Sequence, residues 1–393
     1  MTAVDSTGSL DNPGKPVPFS GIVTSCLVFL LMGALQALYG PAVPYLIKRF
    51  AITTVQAGMA MSVHFAGALA GVMLFHQTTR VLGFRATVTV SFGLVLVGCL
   101  VFATAMTWPV ALGGALVIGL GIGGCDVGLN HLFVAHCGGR GMAMVNLLNA
   151  HFGLGAIAAP IVIGWLGARH YPAVFLGCGL CCIPPLVFRK HLTDPPLVEA
   201  EIPRPARGGV TTLGIMAAFF LIYVLYMGIE TGVGGWESEG LEAIGAAPAW
   251  AATATSFYWL AFTGGCFLAA GLGLALSHAK VMVLGSLGMT ASLMVALFSA
   301  LTARPWLAAG AYIGVGLSVA PLFPTGLAWL GQIMPSSGEA VASAIALSML
   351  GGMIFPTGFG ALIEHFGMAS VPCFMALLAG LCLAATVYII RKS

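Results

Sequence analysis

The chain has 393 residues, of which 59% are hydrophobic and only 7% are charged, and its formal net charge is +3. A soluble core of this length needs far less apolar material, so the composition excludes a soluble domain and predicts a polytopic membrane protein. Membrane strands would need alternating stretches of about ten residues, which the sequence lacks. We therefore predict an all-α integral membrane fold.

Taken in chain order, the apolar runs predict twelve transmembrane helices of about 20 residues each. The first 18 residues lack the basic and apolar pattern of a removable signal peptide, and we expect them to stay in the cytoplasm. The predicted helices are 19–45, 53–77, 86–107, 109–137, 141–168, 172–189, 210–235, 249–276, 280–302, 305–333, 339–363 and 371–390.

A long polar, proline-rich stretch at the middle of the chain predicts a linker between two halves. The halves repeat each other, since Gly119 and Gly121 match Gly314 and Gly316 half a chain later. Parallel duplication of this kind is typical of transporters, whose substrate site lies between the halves near mid-membrane. The predicted parts are a cytoplasmic N-terminal tail at 1–18, an N-terminal six-helix bundle at 19–189, a cytoplasmic linker at 190–209 and a C-terminal six-helix bundle at 210–393.

The distribution of basic residues predicts the orientation of the chain. Eleven of the fifteen Lys and Arg residues fall on one side if the N-terminus is cytoplasmic. This asymmetry is typical of cytoplasmic loops, so we expect a multi-pass cell-membrane protein with both termini in the cytoplasm. Glu237, Glu239 and Glu242 are then expected to form a solvated acidic loop at the outer end of the seventh helix.

Asp126 lies near the middle of the fourth predicted helix. An ionisable group at this depth costs on the order of 3 kcal/mol, so it usually faces an internal cavity and has a function there. No Lys or Arg lies at comparable depth to neutralise it, and burial disfavours the charged form of a carboxylate. Asn130 shares its helix face. Asp126 is therefore the first candidate for proton coupling, with structural pairing as the alternative.

Further polar and aromatic residues lie inside the predicted helices. Glu230 and His151 are additional proton-coupling candidates, with an interfacial position and a packed helix contact as their respective alternatives. Amide side chains suit the hydroxyl or carbonyl groups of a solute, although they also join helices in bilayers. Aromatic rings suit the apolar face of a sugar, although most such rings are core. The candidate substrate-binding residues are Gln36, Tyr39, Asn130, Asn146, Asn149, Tyr226, Trp259 and Tyr312.

Four segments carry a resemblance to a known family. They are 33–45 in the first helix, 124–130 in the fourth, 146–156 in the fifth and 228–236 in the seventh. With the twelve-helix organisation, the chain resembles the major facilitator superfamily, and these segments resemble its fucose/glucose-type sugar:proton symporter branch. The resemblance implies two pseudo-symmetric six-helix bundles and proton-coupled transport of a small polar solute such as a sugar.

The sequence also departs from this family pattern. Gln36 stands where the branch often has an acid, and the loop at 76–85 lacks the acid of the superfamily's signature. We therefore expect the gating salt bridge of that acid to be absent or replaced. The segment 155–160 is similar to a fifth-helix motif of drug:proton antiporters. It keeps proton-driven efflux of an amphiphilic, drug-like compound as an alternative function.

An integral-membrane enzyme or haem protein is the competing class, because buried His and Asp residues also serve catalysis and axial ligation. The loops are short and carry no nucleotide or metal motif, so we expect no enzyme and no cofactor. The expected coupling ion is H⁺, with Na⁺ as the alternative because a carboxylate with amide oxygens suits a hard cation. The expected partners are a small-molecule substrate and membrane lipid, not nucleic acid, and we expect a monomer.

Overall fold

The computed structural model describes residues 17–136, 141–187, 210–272, 276–334 and 338–392, whose regular structure is helical. A short 3₁₀ turn lies at Ala168–His170. The α-helices are α1 (Phe19–Phe50), α2 (Thr54–Leu82), α3 (Phe84–Thr104), α4 (Trp108–His136), α5 (Gly141–Leu166), α6 (Tyr171–Leu180), α7 (Ile183–Val187), α8 (Val210–Ala243), α9 (Pro248–Leu272), α10 (His278–Leu301), α11 (Pro305–Val319), α12 (Leu322–Ile333), α13 (Gly338–Phe366) and α14 (Ser370–Lys392).

Helix is present at each of the twelve predicted positions. Among the described residues, ten segments are long and apolar enough to cross a membrane, with α11 and α12 counted as one. This tenth predicted helix is interrupted at Pro321, because proline has no N–H to continue the helical ladder. The sixth is likewise divided into α6 and α7. The predicted linker 190–209 and most of the predicted tail 1–18 lie outside the described residues.

The helices form two pseudo-symmetric bundles, which confirms the predicted fold class. In the N-terminal half α1 packs against α5, α2 against α4 and α3 against α6. The C-terminal half repeats this arrangement with α8 against α13, α9 against α11 and α10 against α14. Between the halves, α2 packs against α13 and α5 packs against α9. These two contacts are equivalent, because α2 corresponds to α9 and α5 to α13 in the pseudo-symmetry. The interface between the halves therefore runs through the middle of the molecule.

Glycines permit the close crossing of α2 and α4. A Cβ atom on Gly119 of α4 would overlap the carbonyl oxygen of His64, and one on Gly123 would overlap that of Ala68. Gly67 of α2 meets the α4 backbone in the same way. Small residues at such spacing let two helix backbones approach in a membrane, where apolar burial gives little drive to associate. This crossing fixes the position of α4, the helix that carries Asp126.

We expect Gly119→Ala to destabilise the protein by roughly 1–3 kcal/mol, because the added methyl group must force α2 and α4 apart. Gly113→Ala is the matched control, since it lies on the same helix and a Cβ there meets open space. Thermal unfolding of the two purified variants in detergent measures the difference. Equal unfolding temperatures would show that this crossing does not limit stability.

The two halves meet closely at one end of the molecule, the end that carries the α1–α2 loop. We call it the outer end, after the predicted orientation. Gly40 of α1 packs against the backbone of Gly234 in α8, and Gly58 of α2 against that of Pro356 in α13. Gly164 of α5 contacts α9 at the same level. A Cβ on Gly40 or Gly58 would overlap the opposite backbone, so the outer end is closed.

Hydrogen bonds between α2 and α13 strengthen this closure. Glu364 of α13 accepts from the backbone N–H of Val55 (2.8 Å) and from the Thr54 hydroxyl (3.1 Å). The carboxylate thus caps the N-terminus of α2 from the opposite half, where the helix dipole favours a negative charge. Nearer the middle of the interface, the Thr357 hydroxyl bonds that of Ser62 at 2.7 Å.

The interface opens toward the other end, which we call the inner end. Gly153 of α5 still contacts Thr263 of α9. Asn149 and Asn146 continue the same stripe of α5 toward the inner end, because residues spaced by three or four share a helix face. Both are exposed. The two halves are therefore in contact at the outer end and separated beyond Gly153.

The prediction of an acidic solvated loop after the seventh helix is wrong for Glu237. Helix α8 continues through this segment to Ala243, and Glu237 is only 1% exposed. The seventh helix was predicted to end at residue 235, just before the three acids. The glycines at its predicted end serve close packing inside the fold, since Gly232 lies against Phe359 and Gly235 against Met61.

Candidate functional site

A small cavity, which we call the central cavity, lies between the halves. Its volume is about 10 Å³, the space of about one water molecule. A solute the size of a sugar fits only after the halves rearrange. The lining of the cavity includes Gln36 and Tyr39 from α1, His64 from α2, Thr231 from α8 and Trp259 from α9.

Glu230 adjoins this cavity and joins the two halves. The side chain is 6% exposed and accepts a hydrogen bond from Gln36 Nε2 at 3.4 Å. The Tyr226 hydroxyl, one helical turn earlier, also hydrogen-bonds to it. Among the described residues no basic side chain is recorded as an electrostatic partner of Glu230. The carboxyl group is thus held by neutral donors from both halves, which leaves it able to gain or lose a proton without breaking an ion pair.

Tyr39 and His64 form a buried pair at the same cavity. The Tyr39 hydroxyl lies 3.2 Å from His64 Nδ1, and the exposed fractions are 1% and 2%. Their rings meet edge to face. The pair places two polar atoms against the cavity from the N-terminal half. A movement of α1 relative to α2 would change this contact.

Trp259 presents an unused donor in this region. Its indole Nε1–H is buried and has no hydrogen-bond partner. Its ring lies against Gly234 and meets Phe152 of the opposite half edge-on. A buried unpaired donor costs about 1–3 kcal/mol, so such a group normally finds an acceptor. A hydroxyl or carbonyl oxygen of a bound solute would satisfy it.

Asp126 of α4 is half-buried and is not among the residues that line this cavity. Asn130 Nδ2 donates to its carboxylate at 2.9 Å, which confirms that the two residues share one helix face. The Asn130 Oδ1 atom is buried without a partner. No basic side chain in the described parts of the chain is recorded as its electrostatic partner. Within the described residues, Asp126 therefore forms no recorded ion pair with an arginine, and it does not line the cavity.

The candidates on α5 lie toward the inner opening. Asn149 Nδ2 bonds the carbonyl of Val145 at 3.0 Å, and His151 Nδ1 lies 2.8 Å from that of Leu147. Both are local contacts along the helix. Asn146 and Asn149 share the stripe that contains Gly153, so they face the separated part of the interface. The structure shows no contact of His151 with Asp126 or Glu230.

Tyr312 lies away from the central interface, in a second small cavity inside the C-terminal half. The structure therefore brings together five of the predicted site residues and leaves the rest elsewhere. The five are Gln36, Tyr39, Tyr226, Glu230 and Trp259.

Two cavity residues were not among the predicted site residues. The mid-membrane position of His64 is compatible with a proton relay or a solute hydrogen bond, or with a packed helix contact, but its pairing with Tyr39 on another helix is invisible in the sequence. Thr231 gave no signal, because a threonine in a membrane helix usually bonds its own backbone. It does so here, to the carbonyl of Met227 at 2.7 Å. Within the described ranges, no group of three or more His, Cys, Asp or Glu side chains could hold a metal ion.

Two pseudo-symmetric helical bundles around a central, partly polar interface define a membrane transporter rather than an enzyme. The sequence model of the Major Facilitator Superfamily matches residues 25–272. The chain belongs to this superfamily, as its motifs predict.

Curated relatives and solved structures agree with this assignment. The chain is 25% identical to the mouse (Mus musculus) sodium-dependent glucose transporter 1A over 293 residues, or 64% of this chain and 68% of that protein. It is 24% identical to the human (Homo sapiens) sodium-dependent glucose transporter 1 over 291 residues, or 63% of this chain and 55% of that protein. The fold is similar to that of a D-xylose-proton symporter, with a TM-score of 0.78 at 15% identity over 94% of this chain and 97% of that one. The structure of the nucleoside transporter NupG gives a TM-score of 0.74 at 14% identity, over 94% of this chain and 99% of that one.

Proposed function

We propose that the protein is a secondary active transporter that moves a small polar solute, a sugar, across the cell membrane by proton-coupled alternating access. One observation carries the proposal: the buried acid Glu230, for which the described residues provide no basic partner, is bonded to Gln36 of the opposite half beside a cavity that the two halves share. A proton or solute that binds here acts on both halves at once. Such a site can link binding to their relative movement.

The arrangement of the interface supports alternating access. The outer end is closed by backbone contacts such as Gly58 with Pro356, while the stripe of Asn146 and Asn149 is exposed at the inner end. The central cavity holds about one water molecule, so this state is not one that encloses a sugar. A rocking movement about the centre would close the inner end and open the outer end.

The polar groups at the interface support a polyhydroxylated solute. Gln36 and Thr231 provide an amide and a hydroxyl, and Trp259 provides both an unpaired N–H and an aromatic face. Amides bond hydroxyl groups in both directions, and rings stack on the apolar face of a sugar. The names of the glucose and xylose transporters among the relatives and structural neighbours point to the same solute class.

Asp126 and Glu230 are the proposed proton-binding groups, with one in each half. Among the described residues the hydrogen-bond partner of Asp126 is neutral Asn130, and those of Glu230 are Gln36 and Tyr226. Each can therefore be protonated without leaving a basic group unpaired. The relatives named as sodium-dependent favour Na⁺ as the alternative coupling ion. The cytoplasmic position of the termini and the monomeric state are part of the proposal.

No structural observation favours the efflux alternative. Its sequence basis was the segment 155–160 on α5. Gly155 packs against the carbonyl oxygen of Leu30 on α1, and Gly351 repeats this contact against Val224 in the other half. The symmetric repetition indicates that the glycine serves helix packing.

Counterflow in proteoliposomes tests the solute class. Vesicles that contain the purified protein are loaded with an unlabelled sugar, and the entry of the same labelled sugar is followed across a panel of hexoses, pentoses and lipophilic cations. We expect exchange with at least one sugar and none with the cations. Cation exchange without any response to sugars would replace this proposal with the efflux alternative.

A further inference from the structure

The C-terminal half contains a second buried acid that the transport proposal does not use. Glu237 is 1% exposed, and both of its carboxylate oxygens are buried without a hydrogen-bond partner. A buried carboxylate in its charged form requires donors or a cation to offset the loss of water, at a cost of several kcal/mol per ion otherwise. Among the described residues no donor is recorded for either oxygen, so this environment favours the neutral, protonated form of the carboxyl group.

The surroundings of Glu237 are polar but carry no positive charge. Tyr258 of α9 and Tyr312 of α11 are its electrostatic neighbours. Thr255 lies one turn from Tyr258 on the same face of α9, and its hydroxyl is also buried without a partner. No titratable side chain in the described parts of α1, α12, α13 and α14 is recorded as acting on Glu237. The charge of Lys48 on α1 acts on Glu239 and Glu242 instead.

Glu237 is aligned with Glu230 along α8. Seven residues separate them, which is close to two helical turns, so they share one face about 10 Å apart along the axis. Tyr258 is an electrostatic neighbour of both carboxyl groups. The alignment puts one acid beside the central cavity and the other two turns nearer the outer end.

A second cavity lies close to this acid. Its volume is about 10 Å³, and it lies between α8, α10, α11 and α14. Ile244, Ala308 and Met368 line its outer part, near the ends of their helices or in the following loop. Glu237 does not line it, but the lining includes the adjacent residue Trp236 and the electrostatic neighbour Tyr312. The cavity is thus the space nearest to Glu237 that is separate from the closed interface between the halves.

We propose that Glu237 is a proton-binding site in the C-terminal half that exchanges protons with the outer side through this second cavity. A proton needs no set of coordinating oxygens, and it neutralises a carboxyl group that has no donor. Sodium would need several oxygen ligands at once, and the described residues show no set of oxygens gathered around Glu237 as a cation would require. The site goes beyond the proposed transport function, because it binds its proton without solute.

Infrared difference spectroscopy of the purified full-length protein tests the site without any transport assay. During a pH titration in the absence of solute, we expect a protonated-carboxyl band that Glu237→Gln removes. Glu230→Gln, Asp126→Asn and the matched control Glu242→Gln should each retain it. The Glu237→Gln protein should unfold at the wild-type temperature or above, because a neutral amide replaces a neutral acid.

Two results would overturn the site itself. One is a spectrum of Glu237→Gln identical to that of the wild-type protein at every pH. The other is a shift of the band on adding Na⁺ at constant pH, which would identify a cation site. Failure of the counterflow experiment would remove the proposed function and leave these spectra unaffected, so the two failures are distinguishable.

Deuterium exchange tests the route. Ala308→Phe fills the second cavity, and we expect it to slow exchange of the Glu237 band at least several-fold after transfer to D₂O. Gly310→Ala on the same helix, where a Cβ meets open space, is the control. Equal exchange rates in the two variants would show that the proton reaches Glu237 by another path.

Discussion

Replacement of Asp126 by Asn is expected to abolish solute accumulation driven by a pH difference while leaving solute exchange intact. The amide keeps the size of the side chain and a hydrogen bond with Asn130, but it cannot take up a proton. Exchange needs only the reorientation of the loaded carrier, whereas accumulation needs the proton to bind on one side and leave on the other.

The expected effect is large. One coupled proton contributes about 1.4 kcal/mol per pH unit, so a difference of about two units sustains up to roughly a 100-fold solute gradient. In Asp126→Asn this ratio should fall to about one. Uptake of labelled sugar into proteoliposomes with an imposed pH difference measures it, beside counterflow on the same preparation.

Glu242→Gln is the control for the loss of an acid outside the central interface, and it should accumulate solute as the wild-type protein does. Glu230→Gln should reduce both accumulation and exchange, because Glu230 is bonded to Gln36 beside the cavity. Wild-type accumulation by Asp126→Asn would remove this residue from the coupling mechanism.

Gly58→Leu is expected to abolish transport by preventing closure of the outer end. A Cβ on Gly58 already overlaps the carbonyl oxygen of Pro356, and no flexible side chain is present to yield. The branched side chain should therefore hold α2 and α13 apart and favour a state open to the outer side. Such overpacking typically costs about 1–3 kcal/mol, enough to shift a balanced two-state equilibrium by about tenfold or more.

Spin labels at Met106 and Ala247 report this opening, because both positions are exposed at the outer end and lie in opposite halves. In a background without the native cysteines, electron paramagnetic resonance should show a longer distance between them in Gly58→Leu. Gly358→Leu on α13 is the control, since a Cβ there meets open space. An unchanged distance together with wild-type transport would contradict the assignment of this contact to the gate.

The sequence predicted the fold well because its strongest signals are local. Runs of apolar residues mark the spans, and the repeated glycines of the two halves mark the duplication. Each of these glycines has a geometric reason: Gly155 and Gly351 meet equivalent carbonyl oxygens on α1 and α8. The interruption at Pro321 was not predicted, because proline alone does not mark a break: Pro160 and Pro356 lie inside the continuous helices α5 and α13.

The site was less predictable because it depends on which helices meet. Gln36 and Glu230 are 194 residues apart and bond across the interface. Tyr39 and His64 pair across two helices. Tyr312 had the chemistry of a sugar-stacking residue, but on α11 it lies inside the C-terminal bundle, away from the interface between the halves. Glu237 was misplaced because three closely spaced acids suggested a solvated loop, whereas its burial inside α8 depends on packing against other helices.

Solute-induced proton movement tests the central claim most directly. Sugar is added to the outside of proteoliposomes that have the same pH on both sides. The medium is weakly buffered and free of sodium, and the external pH is followed. The proposal predicts that the medium becomes more alkaline as protons enter with the sugar, and that Asp126→Asn gives no such change. Sugar entry without a pH change, or entry only when sodium is added, would contradict proton coupling.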